Sequence, residues 1–252
     1  MTIRTYNPEE IEEFSRGLKK AADIVHTIDP DYVFAPVIGA VPFVDLLHIV
    51  DREFPVDRVE YLPNSSRFEH RDELMQRWYD NFYKRTEGQD KMKILCLDEV
   101  LSGASAVKGQ RQFNASLNRL SRNRAGQDLK QYLAHKEHLE GSITYNVLGF
   151  AEKGHKLAKP FNGLVQRGIV HVVEFDKVPT IDNMDLNPVR LKVDRVNGQG
   201  RTRYAPEVAS FEVTPAYLAL LQNVAQYAGV DPSNVGSLNF AKIQEGLRQS
   251  VS

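Results

Sequence analysis

The segment Lys93–Gly109, KILCLDEVLSGASAVKG, constrains the fold more than any other stretch of this chain. Ile94, Leu95, Cys96 and Leu97 form an apolar run without alternation, the pattern of a parallel strand covered on both faces. Asp98 and Glu99 follow at its carboxyl end, where open α/β sheets place their ligand sites. Ser102, Gly103, Ala104, Ser105 and Ala106 then offer backbone N–H groups with little side-chain obstruction. A helix beginning near Ala106 would add its dipole and make those amides a seat for an anion. Two acids suit a cation or a polyol, and an amide nest suits a phosphate. On one turn they point to a sugar-phosphate ligand.

Length and composition narrow the setting. A chain of 252 residues accommodates one large α/β domain, or a domain with an appendage, and buries its core without metal or disulfide staples. A net charge of -1 gives no global pull towards nucleic acid or membrane. The single Cys96 has no partner for an internal disulfide, and within the apolar run it reads as a small core hydrophobe. No run approaches ~18 apolar residues and MTIRTYNPEE has no apolar signal region. A cytoplasmic protein without membrane contact is expected.

In chain order, Asn7-Pro8-Glu9-Glu10 is a helix start, with an Asn cap, Pro in the first position and acids at the positive end. Helical spacing from Ile11 to Val25 continues it until Asp29-Pro30-Asp31. Tyr32–Ala35 is a first strand, running into Ile38-Gly39-Ala40-Val41-Pro42 and then an apolar helix. Val56–Leu62 reads as a second strand, Ser142–Phe150 as a fourth and Gly168–Phe175 as a fifth. A hairpin around Asn197-Gly198 follows. A helix opened by Thr214-Pro215 and closed by Gly229 comes next, and a last helix near 237–249. The expected architecture is α/β: a parallel sheet of about five strands flanked by helices over 1–179, with an α+β extension at 180–252.

At the acid pair the chain resembles a family. Four apolar residues, two acids, two apolar residues and a small-residue loop are similar to the ribose-phosphate signature of the type I phosphoribosyltransferases. The resemblance implies that Asp98 and Glu99 hold the ribose hydroxyls of 5-phosphoribosyl 1-diphosphate (PRPP), and that Ser102–Ala106 bind its 5-phosphate. The family's usual glycine at the position of Ala104 stands here at Gly103. The turn Ile38-Gly39-Ala40-Val41 looks like the family's pyrophosphate loop, with Gly39 allowing close backbone approach to an anion. Residues 63–91 fall where family members carry a mobile loop, which assigns Arg67 to the substrate; an amphipathic helix over 69–85 is an equal reading.

By that resemblance the function is Mg2+-dependent transfer of phosphoribosyl to a nitrogen acceptor, with Asp98 and Glu99 reaching the ion through substrate or water. A non-catalytic module that senses PRPP or a related nucleotide is the alternative. A homo-oligomer is expected, with a nucleic-acid or protein partner as a further possibility. The window 107–136 holds seven Lys or Arg against one acid, Asp128. It reads either as a polyanion-binding surface or as a solvated face balancing acidic neighbours. The Walker B motif shares the acid pair's pattern but requires an upstream G-x-x-x-x-G-K-[ST] loop, and the chain has none. An ordinary strand-to-helix turn with capping acids is the plain structural reading.

Overall fold

A computed structural model of the chain describes residues 7–89, 91–180, 183–196, 202–237 and 240–251. Five strands form one parallel sheet: β1 (Tyr32–Pro36), β2 (Val59–Leu62), β3 (Met92–Val100), β4 (Ile143–Glu152) and β5 (Val170–Phe175), in the order β2-β1-β3-β4-β5. The run around Cys96 is therefore central, paired with β1 on one side and β4 on the other. Its continuous apolarity has a direct cause. Leu95 and Leu97 enter one core cluster, whereas Ile94 and Cys96 enter a second on the opposite face, because successive strand side chains point to opposite faces.

On the first face lie α1 (Pro8–Ile28) and α2 (Val41–Val50). Helix α1 starts as its residues dictate: Asn7 accepts from the Glu10 N–H, and the Glu10 side chain answers to the Asn7 N–H. On the second face lie α3 (Arg71–Arg85), α4 (Ala104–Ala125) and α6 (Lys159–Gln166). Helix α3 is core. Trp78 is wholly buried, meets Phe34 edge-on at 4.9 Å and donates from Nε1 to the Tyr61 carbonyl at 3.0 Å. The second strand is shorter than expected, since Val56–Arg58 forms a 3-10 turn.

Hydrophobic spacing alone does not separate α5 (Leu129–Ser142) from the helix before it. Gly126, at φ 59°, ends α4, and the Asp128 side chain then caps α5 by accepting from the amides of Lys130 and Gln131. The extension adds a hairpin, β6 (Val189–Val196) with β7 (Thr202–Phe211), and two helices, α7 (Pro215–Ala228) and α8 (Phe240–Arg248). The expected Asn197-Gly198 turn lies outside the described residues. Thr214 and Gly229 bound α7 as anticipated. Tyr217, Leu220, Val224, Ile243 and Leu247 share one cluster with Phe14, Leu47 and Leu95. The buried Tyr217 hydroxyl and the Ser237 hydroxyl both donate to Asp45 in α2, at 2.5 and 2.6 Å. The extension and the sheet domain thus have a common core. No helix among the described residues is long and apolar enough to cross a membrane.

Candidate functional site

Beyond the carboxyl ends of β1, β2 and β3 a cleft of about 150 Å3 opens. It is lined by Ile38 and Gly39 after β1, by Asn64, Ser65, Ser66 and Arg67 after β2, and by Asp98, Glu99 and Ser105 around β3 and α4. Thr180, Asn183 and Asn187, from the segment after β5, complete it. Parallel strands ending side by side put all these loops at one edge of the sheet. The volume is below the roughly 300–1,000 Å3 of most small-molecule sites.

Gly39 lies opposite the acid Glu99. A Cβ built there would stand 3.3 Å from the Glu99 Cβ and 3.6 Å from its Oε2. The two turns therefore meet across the cleft. Ala40 and Val41, read as part of the same loop, are wholly buried, and the Ala40 amide is bonded to the Pro36 carbonyl. Of that turn, Ile38, Gly39 and the following Pro42 line the cleft.

The two acids differ in environment. Asp98 is 5% exposed. It accepts a hydrogen bond from the Ala106 amide, and its Oδ2 has no hydrogen-bond partner among the described residues. Burial, then the neighbouring charge of Glu99, pushes its carboxyl up to about 7; the Ala106 bond and the Arg71 guanidinium oppose that. Glu99 is half-buried, and its Oε1 accepts from the Thr180 hydroxyl at 2.8 Å.

The expected phosphate loop is altered. Helix α4 starts at Ala104, two residues before the expected Ala106, from Gly103 at φ 75°. A Cβ at Gly103 would fall 2.2 Å from the Phe161 ring, so both conformation and space require glycine there. Of the five loop residues only Ser105 lines the cleft. The Ser102 carbonyl accepts from the Ala158 amide, Gly103 is buried, and Ala104 faces a groove with Asp72 and Lys108. The Ala106 amide is taken by Asp98.

Sequence reading missed Asn64, Thr180 and Asn187. Asn64 is 5% exposed; its Nδ2 lies 3.5 Å from the Ser105 carbonyl. Asn187, 4% exposed, donates from Nδ2 to the Ile38 carbonyl and accepts from the Val189 amide at 2.9 Å. Their only sequence signal is a polar loop interrupted by Pro. Of residues 63–91, Asn64, Ser65, Ser66 and Arg67 line the cleft, whereas α3 carries Met75, Trp78, Tyr79 and Phe82 into the core.

The basic window is partly neutralised. Lys108 and Arg119 pair with Asp72 and Asp80 of α3, each at 2.5 Å, and Arg124 pairs with Glu87. His135 and His138 belong to no metal cluster: among the described residues no group of three or more His, Cys, Asp or Glu could hold an ion. Two adjacent carboxylates, one with an unpartnered oxygen, do fit a hard cation that takes its remaining ligands from substrate and water. No protein-family model, curated protein or solved structure matches this chain.

Proposed function

We propose that the chain binds PRPP with Mg2+ in the cleft at the end of β3 and transfers its phosphoribosyl group to a nitrogen acceptor. One observation carries this reading: the Gly39 turn and the Asp98–Glu99 pair line a single cleft, so close that a Cβ built at Gly39 would stand 3.3 Å from the Glu99 Cβ. Asp98 and Glu99 accept the ribose 2- and 3-hydroxyls, each a charge-assisted bond when the acid is ionised. The open face of Gly39 lets the pyrophosphate approach the backbone. As the bond from the anomeric carbon to pyrophosphate breaks, the nitrogen nucleophile attacks an oxocarbenium-like centre, and the adjacent carboxylates stabilise its positive charge. When bound, Mg2+ would neutralise the departing pyrophosphate, held by Asp98 and Glu99 through substrate or water. Residues 64–67 limit the access of water, which would otherwise trap the same centre.

A sensing role without turnover is the second reading. It is favoured by the bonds of Thr180 to Glu99 and Asn187 to Ile38, which tie the extension to both sides of the cleft and let a ligand there act on it. Calorimetric titration with PRPP, with and without Mg2+, tests binding; a pyrophosphate-release assay over nucleobases and amines separates transfer from sensing. Binding that requires Mg2+ is expected. Absence of any PRPP binding would end both readings.

A further inference from the structure

The cleft does not stop at Ser66. On the other side of that residue lies a trough of about 320 Å3, lined by Arg71 from α3, Lys108 from α4 and Arg203 from β7, with His70 and Asp72 beside them. The lining shares Ser66 with the cleft and includes none of Gly39, Asp98, Glu99 or Ser105. We propose that this trough is a second anion site, which seats a phosphate or diphosphate of a second ligand bound next to PRPP.

The cations are held in place before any ligand arrives. Asp72 lies 2.5 Å from the Lys108 ammonium and 3.7 Å from the Arg71 guanidinium, and Arg203 donates to the Ser66 carbonyl. Glu73, also in the lining, is 4.0 Å from His70. Three permanent cations face two carboxylates, so the trough is short of negative charge. Two guanidinium groups approaching from different elements suit a tetrahedral anion with several acceptor oxygens, each able to take paired N–H bonds. The Arg71 side chain is only 10% exposed. A second ligand of this kind is a phosphorylated acceptor or effector, such as a nucleotide, rather than an uncharged base.

The inference rests on the phosphoribosyl reading only for the identity of the neighbouring ligand. Inorganic pyrophosphate is the probe, titrated calorimetrically into protein already saturated with PRPP and Mg2+. One further equivalent is expected to bind. Arg203→Ala and Lys108→Gln, each checked for an unchanged melting transition, are expected to weaken it at least tenfold while leaving PRPP affinity within twofold. Failure of pyrophosphate to bind the saturated protein, or equal binding by the variants, would overturn the second site. A protein that never binds PRPP, yet binds pyrophosphate in a manner lost with Arg203→Ala, would refute the phosphoribosyl reading and leave this site standing.

Discussion

The Thr180 hydroxyl donates to Glu99 Oε1 at 2.8 Å, joining a residue from the segment after β5 to an acid at the end of β3. The bond holds one carboxylate of the pair, while an oxygen of the buried Asp98 has no hydrogen-bond partner among the described residues. Thr180→Val keeps the shape of the side chain but removes this bond to Glu99. PRPP affinity is expected to fall about tenfold, ~1.4 kcal/mol, and Thr180→Ser to restore it. Equal affinities for Thr and Val at this position would show that Glu99 needs no such restraint.

Asp98 supplies a pH signature. Its carboxyl titrates near 7 in the fold against an ordinary value of 3.8, so between these limits the folded chain retains a proton that the unfolded chain has released. The stability from this group is full below about pH 4 and is lost as pH rises through about 7. Asp98→Asn removes the titration. In denaturant melts at a series of pH values, the parent chain should lose on the order of a few kcal/mol relative to the variant between about pH 4 and about pH 8. A constant difference across that range would mean that Asp98 is not desolvated.

Two glycines of the site answer to different constraints, and alanine separates them. At Gly103 a left-handed backbone costs about 1–2 kcal/mol for an L-residue, and the contact with Phe161 adds about 1–3 kcal/mol of overpacking. Gly103→Ala should therefore destabilise by about 2–5 kcal/mol. At Gly39 the backbone is ordinary and the nearest contact is 3.3 Å. Gly39→Ala should change stability by less than about 1 kcal/mol yet weaken PRPP binding, since its methyl group enters the cleft against Glu99. Thermal melts and PRPP titrations of the two variants should thus diverge.

Much of the sheet was legible because burial writes itself into composition. A strand covered on both faces must be apolar at every position, as Ile94–Leu97 are. Helix ends were legible where a cap uses a characteristic residue: Asn7, Thr214 and Gly229 all serve as read. The cleft was legible at Gly39, Asp98 and Glu99, which stand at the ends of recognisable strands. Thr180 and Asn187 were not, since a single hydroxyl or amide reaching across the fold leaves no period in the sequence. The loop 102–106 misled for a local reason. Gly103 is set by the Phe161 ring and by α4 starting at Ala104, and Asp98 takes the Ala106 amide, so only Ser105 remains at the cleft. For the basic window, the reading as a solvated face balancing acidic neighbours agrees with its pairs, because Asp72, Asp80 and Glu87 lie on or just past α3.

The most direct measurement is PRPP binding by the double variant Asp98→Asn, Glu99→Gln. Both substitutions keep size and some hydrogen bonding while removing two adjacent negative charges. If the acids hold ribose hydroxyls, each loses a charge-assisted bond of roughly 1.5–3 kcal/mol, and affinity should fall at least tenfold, a decade being ~1.4 kcal/mol. Stability should hold or rise, because a buried carboxylate and its like-charged neighbour are relieved of each other. The carboxamide oxygen introduced by Asp98→Asn can still accept from the Ala106 amide, so that bond is kept. A double variant that binds PRPP as tightly as the parent chain, and melts at a lower temperature, would contradict the account: the acids would then be capping groups of α4 and nothing more.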